Sequence, residues 1–412
     1  MRATLHINKY LPIALLYFFF NGFLLPHGLL YTTLLTPVFL FWLYGTPYIR
    51  YVWLYFALTI PFALVHFLQG VYGFYYLKSY LLLFTVYVFC IAFYRFLKEC
   101  RTLRTLYRYI LLINIVFLIL ALIAFFIPSL TTRFWYLNNV TEGVDMKRLK
   151  MLTYEPSYYS TLFVPIALYY YLKMLVLKLP DTKTVLLLLS VPLLLSLSFG
   201  VILGMALTLL LTLAYGLKRF FPDKNLPPYL LAIAILLILL PLIATTLFPN
   251  SIFVIRITNV FGGKDVSFKG RTFDSFYLGW KIAAEKSIYF GVGPGQTKFI
   301  GHDIIRDFYH YGIYSTSEVG IPNAVGDTLA VFGLFGVIIR LALEVWFFFR
   351  TRVFTNYYRL SLFLFIFIYQ FTGSFITNIA EYVIWIMAFT PGIFREFNRS
   401  NFPGTRLQTS PS

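Results

Sequence analysis

Charged residues are scarce in this chain, and their scarcity excludes a soluble globular protein. Only 12% of the 412 residues are charged, whereas about a quarter are charged in a typical soluble domain. So few charges cannot cover a water-facing surface of this size, but a lipid-facing surface requires their absence. Cysteine is also rare: Cys90 and Cys100 are the only two, and their spacing fits no zinc or redox motif, so we predict inert thiols.

Acidic residues are rarer than basic ones. The chain has 16 Asp and Glu against 34 Lys and Arg, which gives a formal net charge of +18. A nucleic-acid partner would be one explanation, but the basic residues collect on alternate loops between apolar runs. That distribution is the positive-inside pattern of membrane proteins, so we expect a lipid bilayer and no nucleic acid as partner.

Apolar residues are abundant, at 59% of the chain, and they recur in runs of about 20, the length that spans a bilayer. The pattern predicts an all-α fold, a polytopic transmembrane bundle of about twelve helices. The predicted helices cover residues 10–26, 28–46, 51–69, 74–94, 109–127, 158–177, 185–197, 199–217, 227–248, 323–349, 360–372 and 375–393. The two shortest, 185–197 and 360–372, are predicted to be half-helices or re-entrant segments. No small-residue cleavage site follows the first run, so we expect it to be a retained helix.

The basic clusters predict the topology. With both termini cytoplasmic, every cluster falls on the same side of the membrane. The clusters are Arg50; Arg95, Lys98, Arg101, Arg104 and Arg108; Lys173, Lys178 and Lys183; Lys218, Arg219 and Lys224; Arg350, Arg352 and Arg359; and Arg395, Arg399 and Arg406. We predict one membrane domain over residues 1–398 and a polar cytoplasmic tail over 399–412. Two outward loops, 128–157 and 249–322, are long, and long loops in compact proteins are usually functional or disordered.

The larger loop contains the sharpest local motif. Gly270-Arg271 is followed by Trp280 and then by Gly291-Val292-Gly293-Pro294-Gly295. Arg271 is a fork-shaped donor suited to a phosphate or diphosphate, and 273–286 predicts a short helix on the membrane surface. The glycines allow the backbone to approach either a ligand or a neighbouring helix. The alternative is a structural turn in which Arg271 pairs with Asp274.

The smaller loop ends in Arg148…Glu155-Pro156-Ser157. Glu155 stands at the expected N-cap of the helix that follows, with Pro156 at its first position. The carboxylate is therefore either a helix cap or a general base, or a partner that orients a catalytic arginine.

Three further patterns carry ionisable groups. His302, Arg306 and His310 recur every four residues, which would align them on one face of a helix; a solvated helix is favoured over a metal site. Arg340 and Glu344 have the spacing of a structural i,i+4 pair. Glu381, with Asn378, is expected near the outer half of the last helix, where it could face a substrate cavity.

The motifs at 270–295 and 148–157 resemble those of the O-antigen polymerase and O-antigen ligase superfamily of bacterial envelope enzymes. The family's large periplasmic loop typically has Gly-Arg, a Trp and then Gly-x-Gly-x-Gly. A helix that opens His-Asn and closes Gly-x-x-Gly follows; here these are Pro322-Asn323 and Gly333–Gly336. The 148–157 stretch is similar to the exopolysaccharide-polymerase branch. Leu195–Gly200 resembles the family's Ser-Arg-Gly turn, with Phe199 where Arg is common.

The resemblance implies a GT-C-like fold in the bacterial cytoplasmic membrane. It implies glycosyl transfer from a polyprenyl-diphosphate-linked oligosaccharide, without metal, nucleotide or other cofactor. Arg271 and Arg148 would clamp the diphosphate and Glu155, or less favourably His302 or His310, would be the base. The other predicted substrate-binding residues are Arg133, Arg256, Trp280, Gly293, Gly295, His302, Arg306, His310, Asn323 and Glu381. A chain-length regulator and a flippase are expected partners.

Two other functions compete with a polymerase. A ligase of the same fold is disfavoured by Pro322, because ligases typically carry a functional histidine there. A transporter or flippase of lipid-linked glycans would suit the helix count, but no symmetry-related halves are visible. A purely structural scaffold explains neither long loop.

Overall fold

The structure, a computed structural model, describes residues 10–26, 29–141, 144–177, 182–220, 254, 258, 259, 262, 266–310 and 320–402. The predicted helix at 227–248 lies outside these residues, as do most of loop 249–265, Arg256 and the tail beyond 402. All statements of structure below concern the described residues.

The first half of the bundle is helical apart from one hairpin. Its helices are α1 (Leu11–Leu15, continued as a π-helix over Leu16–Phe20), α2 (Tyr31–Leu34), α3 (Thr36–Leu43), α4 (Arg50–Leu68), α5 (Gly73–Glu99), α6 (Leu103–Ala124) and α7 (Pro128–Phe134). They are followed by strands β1 (Trp135–Thr141) and β2 (Val144–Leu149) and by helices α8 (Pro156–Leu177), α9 (Thr182–Leu195) and α10 (Phe199–Phe220).

The second half contains the described part of the predicted large loop, 249–322, and the last helices. Short helices α11 (Val266–Arg271), α12 (Phe273–Ala284) and α13 (Thr297–Tyr309) precede α14 (Ala324–Arg350), α15 (Tyr357–Tyr369) and α16 (Ile379–Phe389). The predicted helix at 273–286 is confirmed as α12. Residues 266–310 are largely helical, and Leu278, Ile282 and Val292 form a small core of their own with Ile305, Ile321 and Ala330.

Six described helices are long and apolar enough to cross a membrane: Pro47–Leu68, Gly73–Glu99, Leu103–Ala124, Pro156–Leu177, Phe199–Leu217 and Ala324–Thr355. Shorter apolar helices lie at Leu11–Phe20, Tyr357–Tyr369 and Ile379–Phe389. The chain is therefore a mainly helical, multi-pass membrane protein. The predicted 185–197 and 360–372 segments are short helices, α9 and α15. The predicted helix at 28–46 is divided between α2 and α3.

The smaller predicted loop contains an antiparallel hairpin, so the prediction of an entirely α-helical fold is wrong in this detail. β1 and β2 pair from Trp135 opposite Leu149 to Thr141 opposite Val144. The indole of Trp135 donates to the carbonyl of Ala121 at 2.7 Å, which anchors the hairpin on the end of α6. The segment after the hairpin leads to Glu155 and the start of α8.

Helix α8 lies at the centre of the bundle and positions the site described below. Every residue from Tyr158 to Tyr170 is buried, so this part of α8 is covered on all sides by protein rather than lipid. The Tyr159 hydroxyl donates to Asn114 on α6 at 2.8 Å. A central helix with fixed neighbours gives its N-terminal residues a defined position.

Helix α14 has a kink that receives the glycine turn of the large loop. Gly333 has φ 65° and ψ −165°, so the helix opens there. The freed N–H of Leu334 donates to Ile288 O at 2.9 Å, and the freed carbonyl of Ala330 accepts from Val292 N at 2.9 Å. Because unpaired backbone groups are costly inside a membrane protein, the kink and the turn stabilise each other.

We expect Gly333→Ala to destabilise the protein measurably. A Cβ at this position would lie 2.4 Å from the carbonyl carbon of Tyr289, and this region of φ and ψ strongly favours glycine, with a strain of about 1–3 kcal/mol. Gly73→Ala is the matched control, because a Cβ there meets nothing within 4 Å. Thermal unfolding in lipid nanodiscs measures both. Equal stability of the two variants would contradict the role assigned to the kink.

Candidate functional site

A small hollow lies where the start of α8 meets the end of α15 and the start of α16. Its volume is about 80 Å³, so it admits only the reacting groups of a larger ligand. Arg271 and Glu155 both line it. The remaining wall residues are mostly polar or aromatic: Tyr154, Ser157, Tyr158, Thr161, Pro322, Tyr369, Ser374, Phe375 and Asn378. We call this the first hollow.

Arg271 reaches the first hollow from the junction of α11 and α12. It is partly exposed and has no carboxylate within ion-pair distance among the described residues. The alternative pairing with Asp274 is not formed: Asp274 is buried and accepts from the Tyr309 hydroxyl at 3.0 Å. The guanidinium therefore remains available to an anionic ligand.

Asn323 fixes the backbone that carries Arg271. Its side-chain amide donates to the carbonyl of Arg271 at 2.8 Å and to that of Phe371. Its oxygen accepts from Gly326 N at 2.9 Å and caps α14. Asn323 is completely buried and does not line the first hollow, so the structure gives it a positioning role rather than the predicted contact with substrate.

Glu155 stands at the N-cap position of α8, and its carboxylate is turned to the first hollow. Its carbonyl accepts from Tyr159 N at 3.1 Å, as an N-cap carbonyl does, and α8 begins at Pro156 as predicted. Its carboxylate accepts from the Ser157 hydroxyl and lines the first hollow. A carboxylate that is partly exposed in a polar hollow can accept a proton from a ligand hydroxyl.

A second hollow shares Tyr154 with the first. It is larger, about 450 Å³, and its charged wall residues are Arg133 and Lys150. The rest of its wall comes from the end of the first helix, from α7 and from the segment before α8: Gly22, Phe23, Leu24, Leu25, Ser129, Thr132, Leu152, Thr153 and Tyr154. Because two cations and no carboxylate line this hollow, its electrostatic potential favours the binding of an anionic group. Arg133 was predicted as a substrate-binding residue; Lys150 was not.

We expect Lys150 to lose its proton at a lower pH than an ordinary lysine, whose pKa is about 10.4. Burial, assisted by the charge of Arg133, lowers the pKa of Lys150. Because the neutral amine is the nucleophile, acylation of Lys150 followed by mass spectrometry should show a midpoint below that value. Arg133→Met should raise the midpoint, but not to the value of an ordinary lysine, because burial still lowers the pKa of Lys150. A midpoint unchanged by Arg133→Met would show that the Arg133 charge does not influence Lys150. Above this pKa the hollow loses one positive charge and should hold anions less tightly.

Arg148 does not reach either hollow. Its Nε donates to the carbonyl of Ser196 at 3.1 Å, and an Nη lies 3.5 Å from the Ser198 hydroxyl. It therefore fastens β2 to the turn between α9 and α10, the Leu195–Gly200 turn that the sequence singled out. A joint diphosphate clamp by Arg148 and Arg271 is not supported, because the two guanidinium groups are directed to different places.

The glycine turn at 291–295 contacts neighbouring helices rather than a hollow where a ligand could bind. A Cβ on Gly293 would lie 2.8 Å from the Tyr76 ring, and one on Gly295 would lie 2.4 Å from the carbonyl oxygen of Tyr75. The carbonyl of Phe290 accepts from His66 Nε2 at 2.8 Å. These glycines permit close packing on α4 and α5, and neither lines a hollow.

The other predicted loop residues also lie away from the hollows. Trp280 is exposed on α12. On α13, Arg306 pairs with Asp303 at 3.0 Å and with Asp307 at 3.1 Å, and the His302 ring lies 3.3 Å from Asp303. His310 has left-handed geometry at the C-cap, so the predicted alignment of all three basic residues on one helix face is wrong. A solvated helix, the favoured interpretation, agrees with these exposed pairs. Arg256 lies outside the described residues.

Glu381 is buried beneath the first hollow rather than facing it. It is 0% exposed and accepts from Arg340 on α14, which also lies 3.2 Å from Glu344. The predicted Arg340–Glu344 pair is confirmed, but Glu381 joins it. Sequence spacing finds the pair within one helix and has no means of finding a partner 41 residues further along.

The hydroxyl and amide groups of the first hollow were not predicted as site residues. Ser374 and Asn378 come from the connection between α15 and α16, and Thr161 comes from α8.

In the described part of the chain, no three His, Cys, Asp or Glu side chains converge as metal ligands would. No protein-family model matches the chain, and no curated protein matches it significantly.

Proposed function

We propose that the protein is a glycosyltransferase that joins lipid-diphosphate-linked glycans, a polysaccharide polymerase of the O-antigen or exopolysaccharide type. It would transfer a glycan from its polyprenyl diphosphate to a second lipid-linked repeat unit at the outer face of the bacterial cytoplasmic membrane. The observation that carries the proposal is that the Arg271 guanidinium, which has no carboxylate partner among the described residues, and the Glu155 carboxylate line one hollow. In the sequence these two residues belong to different predicted loops, so their proximity could not be read from the motifs.

Arg271 and Glu155 would have different roles in the transfer reaction. Transfer breaks the bond from the anomeric carbon to the diphosphate oxygen and forms a bond from that carbon to the acceptor oxygen. Arg271 would stabilise the charge that grows on the leaving diphosphate, an interaction stronger in the transition state than in the ground state. Glu155 would accept the proton of the attacking hydroxyl. The hydroxyl and amide groups of Ser374 and Asn378 would orient the sugar.

The second hollow offers a place for a second substrate. Arg133 and Lys150 present two positive charges next to the shared Tyr154. Its larger volume is within the range of small-ligand sites, about 300–1,000 Å³. Two adjacent hollows, each with a cation, suit a reaction in which both donor and acceptor carry a diphosphate. This supports a polymerase over an enzyme with one lipid-linked substrate.

The ligase alternative is weakened by Pro322. The residue lines the first hollow and stands where ligases of the resembled family typically carry a functional histidine. A proline side chain can neither accept nor donate a proton. The arrangement therefore lacks a ligase-like histidine at the position where it would contact substrate.

The transporter alternative requires a direct test. Purified protein is reconstituted into liposomes with a defined polyprenyl-diphosphate oligosaccharide, and product length and the sidedness of the lipid are both measured. We expect the oligosaccharide to lengthen by whole repeat units, with release of polyprenyl diphosphate. Movement of the lipid across the bilayer without lengthening would replace the polymerase by a carrier. Lengthening only with a separate lipid-core acceptor would replace it by a ligase.

A further inference from the structure

An ionised network lies inside the bundle, one layer below the first hollow. Arg340 Nε donates to Gln370 Oε1 at 2.8 Å, and its Nη2 donates to Glu381. Glu344 Oε1 lies 3.2 Å from the same Nε. The side chains of Arg340, Glu344 and Glu381 are 13%, 9% and 1% exposed. We call Arg340, Glu344 and Glu381 the buried cluster.

The buried cluster has one more carboxylate than it has cations. With all three side chains ionised its charge is −1. An uncompensated charge inside a protein costs several kcal/mol, and in a membrane interior it marks a functional site by default. Two carboxylates that share one guanidinium therefore favour the uptake of one proton, as closely spaced acid pairs do.

The hydrogen bonds indicate which carboxylate holds that proton. The single hydrogen on Arg340 Nε is directed at Gln370, and Glu344 accepts from the neutral Gln370 amide, whose Nε2 lies 2.7 Å from Glu344 Oε2. Glu381 instead accepts from Arg340 Nη2, from the Ser374 hydroxyl and, at 3.3 Å, from the Trp385 indole. Since charged donors favour the ionised form, Glu381 is the ionised partner of Arg340 and Glu344 is the proton carrier.

Ser374 connects the buried cluster to the first hollow. Its hydroxyl donates to Glu381 and accepts from Asn378 Nδ2 at 2.9 Å, and the residue also lines the hollow. Its φ of 69° is uncommon for a residue with a side chain, and such strain is concentrated at functional sites. A hydroxyl that both donates and accepts can pass a proton between the hollow and Glu381.

Other titratable groups face the cluster from the helices packed around it. They are Asp327 on α14, Tyr369 on α15 and Tyr382 on α16. Asp327 is the rival proton carrier among them, because its carboxylate accepts only a backbone N–H, that of Ile376 at 3.1 Å, among the contacts of the described residues.

We infer that the buried cluster is a proton-binding site, occupied at neutral pH by one proton on Glu344 and filled from the first hollow through Ser374. A proton entering from the hollow bonds to Ser374 Oγ as the serine proton passes to the Glu381 carboxylate. This site goes beyond the proposed glycosyl transfer and does not depend on it, since the cluster binds its proton with the hollow empty.

Infrared spectroscopy of the protein in lipid nanodiscs tests the site without any glycan. We expect a protonated-carboxyl C=O band at neutral pH that shifts in D₂O. It should be lost in Glu344→Gln and also in Glu381→Gln, because either change leaves one carboxylate for one guanidinium. Glu344→Asp, which keeps a carboxyl group, should shift the band rather than remove it. Asp327→Asn is the matched control and should leave the band in place.

Two results would overturn the site: a wild-type spectrum without the band, or a band that disappears in Asp327→Asn and persists in Glu344→Gln. The route is tested separately by the rate of deuterium exchange of the band. Ser374→Gly removes the hydroxyl at a φ that suits glycine and should slow the exchange, whereas Ser129→Gly in the second hollow should not. An unchanged rate in Ser374→Gly would remove Ser374 from the route. Because neither readout needs transfer activity, the proton site and the proposed function can fail independently.

Discussion

Replacing Arg271 by alanine should reduce polymer formation by about a hundred- to a thousandfold, the usual effect of removing one transition-state charge donor. The guanidinium has no carboxylate within ion-pair distance among the described residues and lines the first hollow beside Glu155. Its removal should therefore leave the stability of the bundle almost unchanged while the leaving diphosphate loses its counter-charge. The measurement is polymer length in the reconstituted assay, together with protein amount and thermal stability.

Two further variants sharpen the experiment. Arg271→Lys keeps the charge but loses the two-pronged donor, so it should also be impaired, though less than alanine. Arg306→Ala is the matched control, because Arg306 lies on α13 in exposed pairs with Asp303 and Asp307. It should retain normal polymer. Normal polymer length from Arg271→Ala would remove Arg271 from the mechanism, and equal losses in both arginine variants would point to a general electrostatic effect.

The helices were predictable because a bilayer imposes length and hydropathy on each one separately. Eleven of the twelve predicted segments fall on described helices, and the twelfth lies outside the described residues. The hairpin at Trp135–Leu149 was not predicted, because its strands are short and only Val144–Lys147 of β2 alternates apolar and charged residues. The kink at Gly333 was not predicted either, because its cause is a segment some 40 residues earlier in the chain.

The sequence predicted some residues of the first hollow and missed others, and the difference has a physical reason. Local chemistry identified Arg271 and Glu155, since an arginine in a glycine-rich loop and an acid before a helical proline are visible in sequence. What each side chain contacts depends on tertiary packing. Arg148 and the glycine turn contact the bundle, and Asn323 fixes the backbone that carries Arg271. Lys150 belongs to the 148–157 motif but was not predicted as a site residue. Ser374 and Asn378 enter the first hollow from the connection before α16, where no motif marks them as site residues.

The buried cluster should give the largest effect on stability. We expect Arg340→Met to lower the free energy of unfolding at neutral pH by about 3–5 kcal/mol, because removing the arginine leaves the buried Glu381 carboxylate without its counter-charge. Arg104→Met is the matched control: Arg104 pairs with Glu396, but its side chain is 63% exposed, so about 1 kcal/mol or less is expected. Thermal or denaturant unfolding in nanodiscs compares the two variants with the parent protein.

The loss in Arg340→Met should be recoverable, which separates charge from packing. Replacing both acids with Glu344→Gln and Glu381→Gln in the same chain removes the uncompensated negative charge and should restore much of the stability, since uncharged replacements of a buried ion network are often near neutral. Acid pH should act in the same direction, because protonated carboxyl groups need no counter-charge. If the triple variant is as unstable as Arg340→Met alone, the arginine stabilises the bundle through its contacts with Gln370 and Thr328. In that case the charge balance of the cluster has no part in its stability.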